Sequence, residues 1–184
     1  MISAMQACKV LVAYYSLSGN TARVARDVAK ALNADIESIR DPEHETGFWG
    51  SLKASRDAIR GRCTEIDGVD RNPAKYGITI VGTPVWAWHM TPAVRTYLRQ
   101  TLGQPNEMAF FVTSGDTDAS RIVPAMEAVA HRKAVAFAGF NARELKEPSL
   151  YNAKIASFVH SIAHAHRDAR FRVAQAALRV SAAR

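Results

Sequence analysis

Residues 10–32 read VLVAYYSLSGNTARVARDVAKAL. The first five are apolar without alternation, as expected of a strand buried on both faces of a parallel sheet. From Thr21 onward Val24, Ala25, Val28, Ala29 and Leu32 recur at helical spacing, with Arg23, Arg26, Asp27 and Lys30 between them. Strand and helix are joined by SLSGNT, which holds three hydroxyls, a glycine and an asparagine. A simple turn needs one or two such residues. Hydroxyls and successive backbone N–H groups at a helix N-terminus, where the dipole favours negative charge, predict an anion cradle. The segment has neither the Gly-Lys-Ser/Thr ending of a P-loop nor a GxGxxG pattern. The competing reading is a plain strand-to-helix turn capped by Asn20 or Thr21.

The same alternation continues along the chain. Apolar runs at residues 34–39, 76–81, 108–113 and 134–138 read as further strands. Between them, Phe48, Leu52 and Ile59 share one helical stripe over residues 48–60, which Gly61 ends. Pro92 opens another helix that Thr91 can cap, with Val94, Tyr97 and Leu98 on its apolar face. Ile122, Met126 and Val129 mark the next, with Pro124 expected in its first turn. A last helix opens near Ser149 and turns Tyr151, Ile155, Phe158, Val159 and Ile162 inward. Strands alternating with helices predict an α/β three-layer sandwich around a mainly parallel, five-stranded sheet.

This arrangement accounts for residues 1–167 as one domain, leaving residues 168–184 as a basic helical tail. In the tail Phe171, Ala174, Ala177 and Leu178 recur at helical spacing among arginines. The stripe is mostly alanine, so the tail is expected to be ordered only where it packs, with a homodimer as the first expectation.

The 184 residues are 48% hydrophobic and 22% charged, ordinary for a soluble globular chain. No apolar stretch approaches the ~20 residues that span a membrane. MISAMQACKVLV has no basic leader and does not read as a signal peptide, so a cytoplasmic location is expected. Cys8 and Cys63 share no metal-ligand spacing, and His131, His160, His164 and His166 fall on helices or helix ends; no metal is expected. The net charge is +7, with Arg56, Arg60 and Arg62 in one cluster and Arg167, Arg170, Arg172, Arg179 and Arg184 in the tail. These are either a solvated surface or the footprint of an acidic redox partner or anionic surface. No nucleic-acid partner is expected.

In a doubly wound sheet of order 2-1-3-4-5, strands one, three and four are neighbours, so the loops over residues 16–21, 83–90 and 113–118 would converge on one cleft at its carboxyl edge. YYSLSGNTARVA resembles the phosphate-binding loop of flavodoxins, where a T/S-x-S/T-G-N-T segment holds the phosphate of FMN. GTPVWAWHMTPAVRTYL and FFVTSGD are similar in placement to the two flavin-ring loops of that family, and the resemblance runs to about His166. It implies a five-stranded parallel sheet of order 2-1-3-4-5, with FMN as cofactor. Ser16, Ser18, Gly19, Asn20 and Thr21 would hold the phosphate. Thr83, Pro84, Val85, Trp86, Ala87 and Trp88 would line one side of the ring, and Thr113, Ser114, Gly115 and Asp116 the other edge.

The chain departs from the family pattern in three ways. The third loop, TSGDTDAS, has no aromatic residue, which leaves one ring face open. The second loop has no glycine, although the peptide flip that accompanies flavin reduction in flavodoxins is easiest where glycine takes φ > 0. The chain is also basic where familiar flavodoxins are acidic. His89 and Asp116 are the titratable side chains of the two ring loops and the candidates for proton transfer. Two functions therefore stand: an FMN-binding electron carrier between redox partner proteins, and an FMN-dependent NAD(P)H oxidoreductase acting on quinones or similar acceptors.

Overall fold

The computed structural model describes residues 9–42, 63–67, 69–101 and 107–165, together with the backbone of the last helix as far as Ala182. The chain runs β1 Val10–Tyr14, α1 Asn20–Leu32, β2 Asp35–Ser38 and a 3₁₀ turn Pro73–Lys75. It continues through β3 Ile78–Trp86, β4 His89–Met90, α2 Pro92–Gln100, β5 Glu107–Thr113 and α3 Ala119–Ala130. β6 Ala134–Phe140, α4 Ala142–Lys146 and α5 Pro148–Ala182 complete it. The helix expected over residues 48–60 and the arginines beside it lie outside the described residues.

The sheet has the order β2-β1-β3-β5-β6, with these five strands parallel and β4 folded back antiparallel on β3. This is the expected 2-1-3-4-5 arrangement. The unbroken apolar runs follow from burial on both faces. Val81, Phe110 and Val112 meet Val94, Tyr97, Leu98, Ile122 and Met126 of α2 and α3 on one side. Val12, Ile80, Ala109 and Phe111 meet Val24, Val28, Phe158 and Ile162 of α1 and α5 on the other. A polar clasp also joins α1 to α5. The Arg23 guanidinium lies 4.0 Å over the Tyr151 ring and donates to the Leu145 carbonyl at 2.8 Å, while the Tyr151 hydroxyl donates to Asp27 at 2.6 Å.

The structure adds detail to these expectations and corrects some of them. The segment after the third strand is not a loop throughout: β3 continues through Trp86 and turns back as a hairpin, pairing Trp86 with His89 and Val85 with Met90. β1 makes its last pair with β3 at Tyr14 and Gly82, so Pro84 falls beyond the β1 ladder, where a proline is tolerated. Thr91 stands at the N-cap of α2 but makes no side-chain cap there, because its hydroxyl pairs with that of Thr83 at 3.2 Å. Pro124 lies beyond the first turn of α3, since the helix already starts at Ala119 behind the Asp118 cap; there its missing N–H removes one interior hydrogen bond. A short α4 closed by a reciprocal capping box of Asn141 and Glu144 precedes the last helix, which opens at Pro148. The backbone of α5 passes residue 167 without a break, so the tail continues the last helix.

Candidate functional site

The loops after β1, β3 and β5 meet at the carboxyl edge of the sheet, and the sequence-predicted residues divide there into two sets. The first set fastens the loops; Thr21, Thr83 and Thr113 are buried and Ser114 half-buried. Thr21 and Thr113 share a hydrogen bond between their hydroxyls at 2.8 Å, tying the start of α1 to the end of β5. The Thr83 hydroxyl donates to the Pro84 carbonyl at 2.9 Å and accepts the Thr91 amide at 3.2 Å, fixing the base of the hairpin. Ser114 closes the third loop, accepting the Thr117 amide at 3.0 Å and donating to the Thr117 carbonyl at 2.8 Å.

The second set faces outward. Ser18, Gly19 and Asn20 are exposed on the first loop, and Gly115 and Asp116 on the third. Gly19 takes φ 87° as the N-cap of α1, a left-handed conformation that glycine adopts without steric cost. Its carbonyl accepts the Arg23 amide at 2.9 Å, and no side chain caps the helix. The first-turn amides of α1 therefore have no intrahelical acceptor and no side-chain substitute. Beside them the Ser16 hydroxyl is buried without a hydrogen-bond partner. A buried polar atom of this kind carries a desolvation cost unless a ligand completes it.

Pro84, Val85, Trp86 and Ala87 are half-buried, whereas Trp88 is 72% exposed at the hairpin tip. Trp86 meets Tyr15 edge-on, with ring centroids 5.5 Å apart, and packs against the core. The two tryptophans thus differ in kind: one braces the hairpin, the other presents a free ring. Ala87 and Trp88 take φ 46° and 63°, the left-handed values of a tight hairpin turn that usually selects asparagine and glycine. Each non-glycine residue there stores about 1–2 kcal/mol of strain. The expectation that this loop lacks a glycine where a positive φ is needed meets its structural counterpart at these two positions.

His89 is half-buried opposite Trp86. Asp116 is exposed. The neighbouring Asp118 caps α3, and the Ser120 amide that donates to its carboxylate at 2.9 Å holds it below the usual carboxylate range. Leu17, absent from the sequence-predicted set, is 42% exposed between the two serines. An apolar residue inside an otherwise polar loop was the signal for it. Like Trp88, it is a large apolar side chain exposed on the loops at this edge of the sheet. Among the described residues no cluster of His, Cys, Asp or Glu has metal-binding geometry, and no helix is long and apolar enough to cross a membrane.

A doubly wound parallel sheet with a hydroxyl-rich loop at its first strand–helix junction is the architecture of the flavodoxin-like α/β proteins. The flavodoxin family model matches residues 9–136, and the chain belongs to that family. It is similar to the Lactobacillus acidophilus flavoprotein solved in complex with FMN, with 26% identity and a TM-score of 0.61 over 75% of this chain and 96% of that one. A Bacteroides uniformis flavoprotein aligns at 23% identity and a TM-score of 0.62, covering 75% of this chain and 95% of the other. Megasphaera elsdenii flavodoxin shares the fold at 16% identity and a TM-score of 0.52, over 86% and 98% of the two chains. No curated protein matches the sequence.

Proposed function

We propose that this chain binds one FMN at the carboxyl edge of its sheet and carries electrons between redox partner proteins. The observation that carries the reading is the buried, partnerless Ser16 hydroxyl beside the uncapped N-terminus of α1. These groups fit a phosphate: neutral hydroxyls and amides replace its water hydrogen bonds, and the helix dipole supplies the favourable field. Ser18, Gly19 and Asn20 complete the rim, while Thr21 acts by locking the cradle to the third loop through Thr113. The Lactobacillus acidophilus relative was solved in complex with FMN, which supports the reading.

Bound FMN supplies a ring that accepts and releases electrons. The chain's own residues orient and shield it. Leu17 and Trp88 provide exposed apolar surface for one side, Trp86 holds the hairpin against Tyr15, and Ser114 to Asp116 border the other edge. Trp88 is exposed at the hairpin tip, which suits electron exchange with a docked protein. The absence of an aromatic residue in the third loop favours the second reading, an NAD(P)H oxidoreductase in which a planar substrate occupies the open face.

Titrating the apoprotein with FMN should quench tryptophan emission and saturate at one FMN per chain. Lack of binding would overturn both readings. Rapid mixing of the FMN-loaded protein with NADH and NADPH then separates them: slow flavin bleaching is expected of a carrier, and fast bleaching establishes the oxidoreductase.

A further inference from the structure

The two edges of the sheet are built differently. β2, at one end, is a four-residue strand carrying Asp35 and Glu37. Arg71 covers it, donating its amide to Glu37 at 2.8 Å and its Nε to the Ile36 carbonyl at 3.2 Å. Charge, brevity and cover are the devices by which proteins prevent strand edges from pairing. β6, at the other end, has none of them among the described residues. Its sequence AVAFAGF spans seven residues without a charge or a proline. Phe137, at its midpoint, is 52% exposed. Beside this strand runs an open groove of about 480 Å³, bordered by Thr117, Asp118, Phe137, Ser157 and Ser161.

The charges at the two ends of β6 are opposite. Arg132 and Lys133 precede it; Lys133 is 88% exposed although Glu127 holds it at 2.7 Å. Exposed Asp116 and Asp118 stand at the level of its carboxyl end. We propose that β6 pairs with β6 of a second copy, antiparallel, about a two-fold axis at Phe137. That register sets Phe137 against its own counterpart and Ala134 opposite Phe140 of the second copy. It also brings the basic start of each strand to the acidic end of the other. A two-fold contact requires a self-complementary patch, and a neutral strand with opposite charges at its ends is one. The pairing satisfies the free backbone groups of both edges and removes both Phe137 rings from water. The proposal does not depend on FMN.

Sedimentation of the full-length protein at tens of micromolar tests it. The wild type should run as a dimer. Phe137→Lys, which places unpaired charges at the two-fold axis, should raise the dimer dissociation constant at least about tenfold with an unchanged circular dichroism spectrum. Phe137→Cys, made with Cys8→Ser and Cys63→Ser, should form a disulfide-linked dimer on mild oxidation. Directly opposed residues of an antiparallel pair have Cα atoms about 4.5–5.5 Å apart, within disulfide reach. A monomeric wild type would overturn the proposal. So would a Phe137→Lys dimer as tight as wild type, a missing cross-link, or a dimer abolished only by truncation after Arg167. If Phe137→Lys misfolds, the cross-linking result decides.

Discussion

Gly82 sits in β3 immediately before the hairpin, and its substitution by alanine connects the core to the site. A Cβ at this position would lie 2.0 Å from Phe111 Cζ and 2.5 and 2.6 Å from the two Cε atoms. Ordinary contact begins near 3.4 Å, so the ring or the strand has to move by more than an ångström. The ring has nowhere to go. Phe111 is fully buried and meets Phe140 and Phe158 edge-on, each at 6.4 Å. Overpacking of a core costs about 1–3 kcal/mol, and a clash with an immobile ring belongs at about 3 kcal/mol. Phe111→Leu removes the clashing Cε and Cζ atoms and should by itself cost about 1–2 kcal/mol in lost packing. Combined with Gly82→Ala it should restore part of the loss, with a coupling of about 2 kcal/mol.

The strain should also reach the cleft. The Gly82 carbonyl accepts the Tyr15 amide at 3.1 Å, so displacement of β3 shifts the root of the first loop as well as the hairpin that follows. FMN affinity should fall about tenfold in Gly82→Ala, roughly 1.4 kcal/mol, and recover in the double variant. Urea unfolding of the apoproteins and fluorescence titration with FMN measure the two effects. A loss below about 1 kcal/mol for Gly82→Ala, or additivity of the pair within about 0.5 kcal/mol, would refute the packing argument.

Ser16→Ala should weaken FMN by about 1–2 kcal/mol, five- to thirtyfold, and leave riboflavin binding unchanged in parallel titrations. The apoprotein should be no less stable in urea, because the substitution deletes a buried hydroxyl that has no partner. Trp86→Ala should cost the apoprotein about 2–3 kcal/mol, since the ring packs on Tyr15 and the core. Trp88→Ala should stay within about 0.5 kcal/mol by the same measurement, because its ring is exposed. Burial raises the Glu37 carboxyl above its ordinary range against the opposing pull of the Arg71 amide. Its contribution to stability is thus full below the unfolded-state value and is lost as pH rises through the higher folded-state value. Glu37→Gln, neutral throughout, should exceed the wild type in urea midpoint at pH 7 and converge with it toward about pH 4.

Much of the cleft was legible because its signals are local. SLSGNT announces itself by composition within six positions, and the helix that follows by the spacing of Val24, Ala25 and Val28. The hairpin was less so. GTPVWAWHMTP carries proline, and its turn residues Ala87 and Trp88 are not the ones a left-handed turn selects, so nothing local marks the turn. Pairing with β4 overrides that preference. The roles within the site were also invisible to pattern. Thr21 and Thr113 are separated by 92 positions, and only the parallel register of β1, β3 and β5 brings their hydroxyls to 2.8 Å.

The sequence by itself determined the layers, and the wording of its three loops, through their resemblance, the strand order and the place of the cleft. Continuous apolar runs between amphipathic helices can be buried only in a doubly covered parallel sheet. The tertiary structure alone decided which residues of the three loops face outward and which fasten them, because that depends on neighbours distant in the chain. It distinguished Trp86, held by Tyr15, from Trp88, left free at the tip. It also showed one sheet edge covered by Arg71 and the other, among the described residues, without such cover. A strand's sequence states what it can bury; only the folded sheet determines which of its edges finds a partner.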